Sequence, residues 1–93
     1  MSELAEDPAE RTGRYLAVVE KSLRGFTVFR KDSTAKARNI GRVYDTIHRY
    51  IQDSRYYLEN AKPATALASV AYAEGLLDAL VFLELGRRTD HSV

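Results

Sequence analysis

The sequence predicts an all-α protein: a three-helix up-and-down bundle with a long antiparallel helix 2–helix 3 hairpin. Three observations carry this. Apolar residues recur at helical spacing in three separate segments. Both prolines, Pro8 and Pro63, stand where a helix would begin. No strand-like alternation is sustained. The 93 residues amount to one small domain, 1–93.

Helix 1 is expected over about residues 8–24. Asp7 is a good N-cap, Pro8 suits the first helical position, and Glu10 completes a capping-box pattern. Leu16, Val19, Leu23 and Phe26 then form one apolar stripe at coiled-coil period, and Gly25 suits a C-terminal stop. Residues 25–33 read as a connection. Phe26, Val28 and Phe29 are too apolar for a free loop and are expected to fold over an end of the bundle, with Asp32 or Ser33 capping the next helix.

Helix 2 is expected over about 34–60. Ile40, Tyr44, Ile47, Ile51, Ser54, Leu58 and Ala61 follow a strict four-three alternation, flanked by Val43, Tyr50 and Tyr57 at intervals of seven. Gly41 costs about 1 kcal/mol against alanine, which implies close packing or a kink. After the short break Ala61-Lys62-Pro63, helix 3 is expected over about 63–85, with Gly86 as its stop and 87–93 as a tail. Helix 3 is rich in alanine and nearly apolar all round, so more than one partner helix must cover it.

Composition excludes several classes. The chain has no cysteine, hence no disulfide scaffold and no thiolate-ligated zinc. It has two histidines, no Gly-rich phosphate loop and no nucleophile elbow. The acidic start resembles no signal peptide, and no uninterrupted apolar run reaches membrane-spanning length. A cytoplasmic protein with no membrane association, cofactor or bound metal is therefore expected. The net charge of +1 conceals a basic middle: residues 11–55 hold eleven Lys/Arg against four Asp/Glu. Such a segment can attract phosphate, but acidic flanks that compensate it are the simpler reading.

The short break makes helices 2 and 3 antiparallel. With the turn near Lys62, Tyr50 should face Glu74, Asp53 should face Ala71, and Thr46 should face Asp78. Helix 2 would span about 40 Å and helix 1 only about 25 Å. If helix 1 ends beside the start of helix 2, the hairpin tip, roughly residues 52–72, is left bare.

The hairpin residues carry a resemblance. The run from Tyr50 to Glu59, Tyr-Ile-Gln-Asp-Ser-Arg-Tyr-Tyr-Leu-Glu, is followed by Ala66-Leu67-Ala68 and by Ala71-Tyr72-Ala73-Glu74-Gly75-Leu76-Leu77-Asp78-Ala79. Together these resemble the archaeal family called Domain of Unknown Function 357, over about residues 8–86. The resemblance implies an up-and-down helical bundle and an archaeal source, and it implies no known activity. One departure is the turn, where a glycine is expected and this chain has Asn60-Ala61-Lys62-Pro63.

Four constellations could carry function. Glu74 and Asp78, with Asp53 across the hairpin, could hold a divalent cation. A polar network of Asp53, Glu74 and Asp78 with Tyr50, Tyr72 and Arg49 is the simpler reading, because nearby Arg42, His48 and Arg49 oppose a cation. Arg42 and His48 have a spacing that resembles the ribonuclease motif of helical HEPN domains, a common spacing by chance. Arg38, Arg42 and Arg49 share a face, but the i, i+4 pairs Asp45–Arg49 and Arg49–Asp53 suggest a solvated surface. Tyr56, Tyr57 and Tyr72 could anchor an interface or stack bases. The expected function is a non-catalytic protein-interaction or oligomerisation module. Its expected partner is a second copy, as a homodimer, or another protein, through Asp53, Tyr56, Tyr57, Leu67, Val70 and Tyr72. The alternative is a nucleotide- or RNA-binding module resembling helical HEPN domains.

Overall fold

The computed structural model describes residues 7–29 and 35–88, with side chains from residue 37 onward in the second stretch. Along the chain lie α1 (Pro8–Arg24), β1 (Phe26–Val28), α2 (Ala35–Glu59), α3 (Pro63–Phe82) and β2 (Gly86–Arg88). The protein is an all-α bundle with a helical hairpin. The caps expected at Asp32 or Ser33, and the tail beyond Arg88, lie outside the described residues.

Asp7 starts α1 as the sequence implies: its backbone is extended and its side chain accepts from the Ala9 N–H at 3.2 Å. α2 continues through Gly41 without interruption. It ends in a Schellman motif built on an alanine. Ala61 sits at φ 59°, the Lys62 N–H donates to the Tyr57 carbonyl at 2.8 Å, and the Ala61 N–H donates to Leu58 at 3.2 Å. α3 ends the same way on Glu84, φ 58°, with the Leu85 N–H donating to Leu80 and the Glu84 N–H to Val81. So α3 stops at Phe82, short of the expected Leu85, and Gly86 is not its stop.

Gly86 instead opens β2. It pairs with Val28 in a two-stranded antiparallel ribbon, and Arg88 pairs with Phe26. A Cβ on Gly86 would lie 2.5 Å from the Phe26 ring and 2.8 Å from the Thr27 carbonyl oxygen. The apolar connection thus does close over the bundle, as a strand rather than a loop. The first residues of the expected tail, Arg87 and Arg88, form its mate.

The α2–α3 seam is built from small side chains. Ser54, Ala66 and Ala73 are fully buried, and the Ser54 hydroxyl donates to the Ala66 carbonyl at 2.7 Å. Tyr50 packs against Tyr72, with ring centroids 4.5 Å apart and the rings inclined at 59°. Tyr50 is therefore level with Tyr72 rather than Glu74, because the chain reverses around Asn60–Ala61, a residue earlier than expected.

The placement of α1 corrects the expected one. The position of a Cβ on Gly13 lies 3.6 Å from Leu58, Glu20 bonds to Arg55, and Tyr15 bonds to Glu74. α1 therefore runs antiparallel to α2, parallel to α3, and against the hairpin tip. The physical reason is the extended strand β1. It carries the chain onward past the end of α1 before α2 begins, so α1 slides toward the tip. Leu16, Val19 and Leu23 of α1 pack with Ile47, Ile51, Val70, Ala73 and Leu77 in one core. Among the described residues the thinly covered region is the opposite end, where α2 starts and α3 finishes.

By length and composition α3 could cross a membrane, with a mean hydropathy of 1.4 over eighteen residues. Glu74 and Asp78 lie in it, however, and each is tied to a polar group of a neighbouring element. Charge of that kind near a bilayer centre costs about 2.5–3.5 kcal/mol per group.

Two substitutions with opposite signs check these turns. Gly86→Ala should lower stability by about 1–3 kcal/mol through overpacking against Phe26. Ala61→Gly should raise it by about 0.5–1 kcal/mol by relieving the left-handed alanine. Urea denaturation of both variants reads the two effects, and equal midpoints would refute the account.

Candidate interaction face

The α2–α3 pair forms a layer, and α1 covers one side of it. Helical periodicity puts Val43, Thr46, Tyr50 and Tyr57 of α2, with Tyr72, Leu76, Ala79 and Leu83 of α3, toward the other side. At the thinly covered end this side opens into an apolar groove of about 450 Å³. Asn39, Ile40, Val43, Leu76, Ala79, Leu80, Leu83 and Leu85 line it. The side chain of Leu83 is 66% exposed and that of Phe82 79%. The lining residues carry no titratable group, so the groove has no acid, base or nucleophile to offer.

A shallower depression of about 270 Å³ adjoins the groove and shares Val43 and Leu76 with it; Arg42, Thr46 and Tyr72 complete its wall. The Thr46 hydroxyl donates to the Arg42 carbonyl at 2.8 Å.

The expected site residues are scattered around the bundle. Val70 is fully buried in the core and is no part of any interface. Its position on the inner side of α3, level with α1, explains this. Tyr72 is half-exposed on the open side of the layer, and Tyr57 and Asp53 are half-buried there. Tyr56 stands exposed, edge-on to Tyr57 at 5.5 Å. Leu67 is exposed on the α1 side, one heptad before Glu74.

The expected polar network is replaced by another. Glu74 accepts from the Tyr15 hydroxyl of α1, and Asp78 accepts from Arg88 of β2 at 2.8 Å. These carboxylates point away from α2, so Asp53, Tyr50 and Arg49 cannot reach them. Tyr50 and Tyr72 contact each other through their rings. Among the described residues no three acidic or histidine side chains converge as metal ligands. The i, i+4 pairs Asp45–Arg49 and Arg49–Asp53 are not formed either. Two ion pairs link separate elements: Arg55 to Glu20, with Nε–Oε2 at 3.2 Å, and Arg88 to Asp78.

Arg42 and His48 are not brought together. Six residues apart on one helix, they point about 120° away from each other. Arg42 reaches the depression beside Tyr72, while His48 packs edge-on against Tyr44 at 4.9 Å.

Sequence reasoning missed Tyr15, Arg88 and the groove. One signal for the groove was present: Leu76 and Leu83 are seven apart, matching the spacing of Val43, Tyr50 and Tyr57 across the hairpin. Tyr15 gave none, because its partner depends on where α1 docks.

Residues 14–86 match a family described as a protein of unknown function, DUF357. The chain matches no curated protein and no solved structure.

The Tyr15–Glu74 bond yields a pH signature. Burial, then the hydrogen bond to Glu74 and its charge, push the Tyr15 phenol up to about 12 from an ordinary 10.0. A group whose pKa is raised on folding stabilises fully below its unfolded value and loses that contribution as pH climbs through its folded one. Stability should therefore decline between about pH 10 and 12. Tyr15→Phe should cost about 1–3 kcal/mol at neutral pH and flatten that decline. An identical alkaline slope in variant and parent, measured by thermal melts, would show that Tyr15 is not the responsible group.

Proposed function

Because the chain belongs to the DUF357 family, for which no function is known, we propose a function from its geometry: a non-catalytic interaction module that presents the open side of the α2–α3 layer to a protein partner. The apolar groove at the end of that layer is the observation that supports this reading. It is lined in part by the exposed Leu83 and made of residues that can bind by burial but cannot react. We further propose a cytoplasmic protein of an archaeal cell, the source that the family resemblance implies, working away from membranes.

An RNA- or nucleotide-binding role has one observation in its favour. Arg42 and Tyr72 share the depression beside the groove, where a base could stack and a phosphate could pair. Asp45 and Asp53 on the same helix work against phosphate. Micromolar, salt-sensitive binding of single-stranded RNA that Arg42→Ala abolishes would make this the better reading.

A photoreactive side chain at position 83 tests the protein-interaction reading in living cells. Position 18 is the control, since Val18 is equally apolar and 60% exposed, but on α1. Discrete protein adducts should form from position 83 and not from 18. Adducts absent from both, or alike at both, would remove the groove as the interaction site.

A further inference from the structure

The layer's open side carries five charges on α2: Arg38, which precedes an alternating set of four, Arg42, Asp45, Arg49 and Asp53. The order of these four along the helix is plus, minus, plus, minus, at spacings of three and four. Read backward, the order is minus, plus, minus, plus. Two copies of α2 laid antiparallel therefore oppose unlike charges at each of these four places, with Arg38 left opposite Tyr57 of the other copy, while a parallel pair in register opposes like charges. Among the described residues none of the four forms an ion pair within the chain. Asp53 is half-buried all the same, and a carboxylate so placed gains from a partner.

We infer that the partner of this face is a second copy of the chain, docked antiparallel about a two-fold axis that crosses α2 between Ile47 and His48. The inference rests on the interaction reading above. In this register Arg42 of each copy meets Asp53 of the other, and Arg49 meets Asp45. Both pairs occur twice, as two-fold symmetry requires.

The same axis can be followed onto α3 without further choice. The contacts Tyr50–Tyr72 and Ser54–Ala66 fix the hairpin register, so the axis passes between Ala73 and Glu74. Tyr72 then opposes Gly75 of the second copy, and Leu83 opposes Ala64. Large side chains meet small ones at both levels, which is how two apolar layers interdigitate. Gly75 is suited to receive a ring: a Cβ there would have no atom within 4 Å in the single chain. Two helices about 30 Å long, side by side, offer about 600 Å² per copy, near the lower edge of specific dimers. Micromolar affinity follows.

Sedimentation of the full chain over roughly 1–100 µM is the test, with circular dichroism to confirm that each variant keeps its helicity. The parent should dimerise. Arg42→Glu and Asp53→Arg should each weaken the dimer by about tenfold or more, since each opposes like charges twice. The double variant R42E/D53R should return to within about threefold of the parent. Gly75→Leu should abolish the dimer while the monomer stays folded. A double variant as weak as the singles overturns the register, and so does a Gly75→Leu chain that dimerises like the parent. A parent that is monomeric throughout overturns the second copy as partner. In that last case, adducts at position 83 to a different protein would still uphold the interaction reading, so the two can fail separately.

Discussion

The close approach of α2 and α3 is the constraint from which the rest of the molecule follows. Ser54, Ala66 and Ala73 leave so little between the two backbones that a serine hydroxyl reaches a carbonyl of the facing helix. A bond between a side chain and a facing backbone fixes axial register as well as distance. With that register set, Tyr50 must pack against Tyr72, and Val43 must stand beside Leu76. The layer is thereby a rigid plate, and each of its sides is decided at once. One receives α1, and the other collects the groove and the alternating charges.

The plate also explains the disposition of the acids. Glu74 and Asp78 are one turn apart on α3, on the side where α1 and β2 arrive. Their partners, Tyr15 and Arg88, come from different elements, so the two bonds tie both the N-terminal helix and the C-terminal ribbon to the hairpin. The Arg55–Glu20 pair does the same from α2. These three side-chain contacts therefore pin particular elements in register. Apolar contacts within the core hold them together, as expected where a surface pair contributes less than about 1 kcal/mol.

The helices were legible in the sequence because each depends on local pattern. Asp7-Pro8 opens α1, the four-three alternation from Ile40 to Leu58 spans α2, and Pro63 opens α3. What could not be read was where α1 docks. That depends on the conformation of Phe26–Val28, three residues too few to show an alternation, whose strand partner lies some sixty residues on. One extended segment moved the exposed end of the bundle from the tip to the opposite pole. It took Val70 out of the interface and gave Glu74 a partner on α1. Gly86 misled for a related reason. A glycine after an apolar helix signals a stop, but here the left-handed residue is Glu84, and the glycine makes room for the Phe26 ring.

A plate of two helices has two sides, and one short helix can cover only one of them. Among the described residues α1 covers the side that carries Glu74 and Asp78, and nothing covers the side that has no acid on α3. Evolution of a monomer would place polar residues on that bare side, since an exposed helix gains solubility from them. This chain instead places Ala64, Ala68, Ala71, Gly75 and Leu83 there. On α2 it keeps charges, of which Arg42, Asp45, Arg49 and Asp53 complement themselves when the order is reversed. In the proposed dimer the apolar stripe on α3 and the alternating charges beside it on α2 would each meet their complement on the same surface of a second copy.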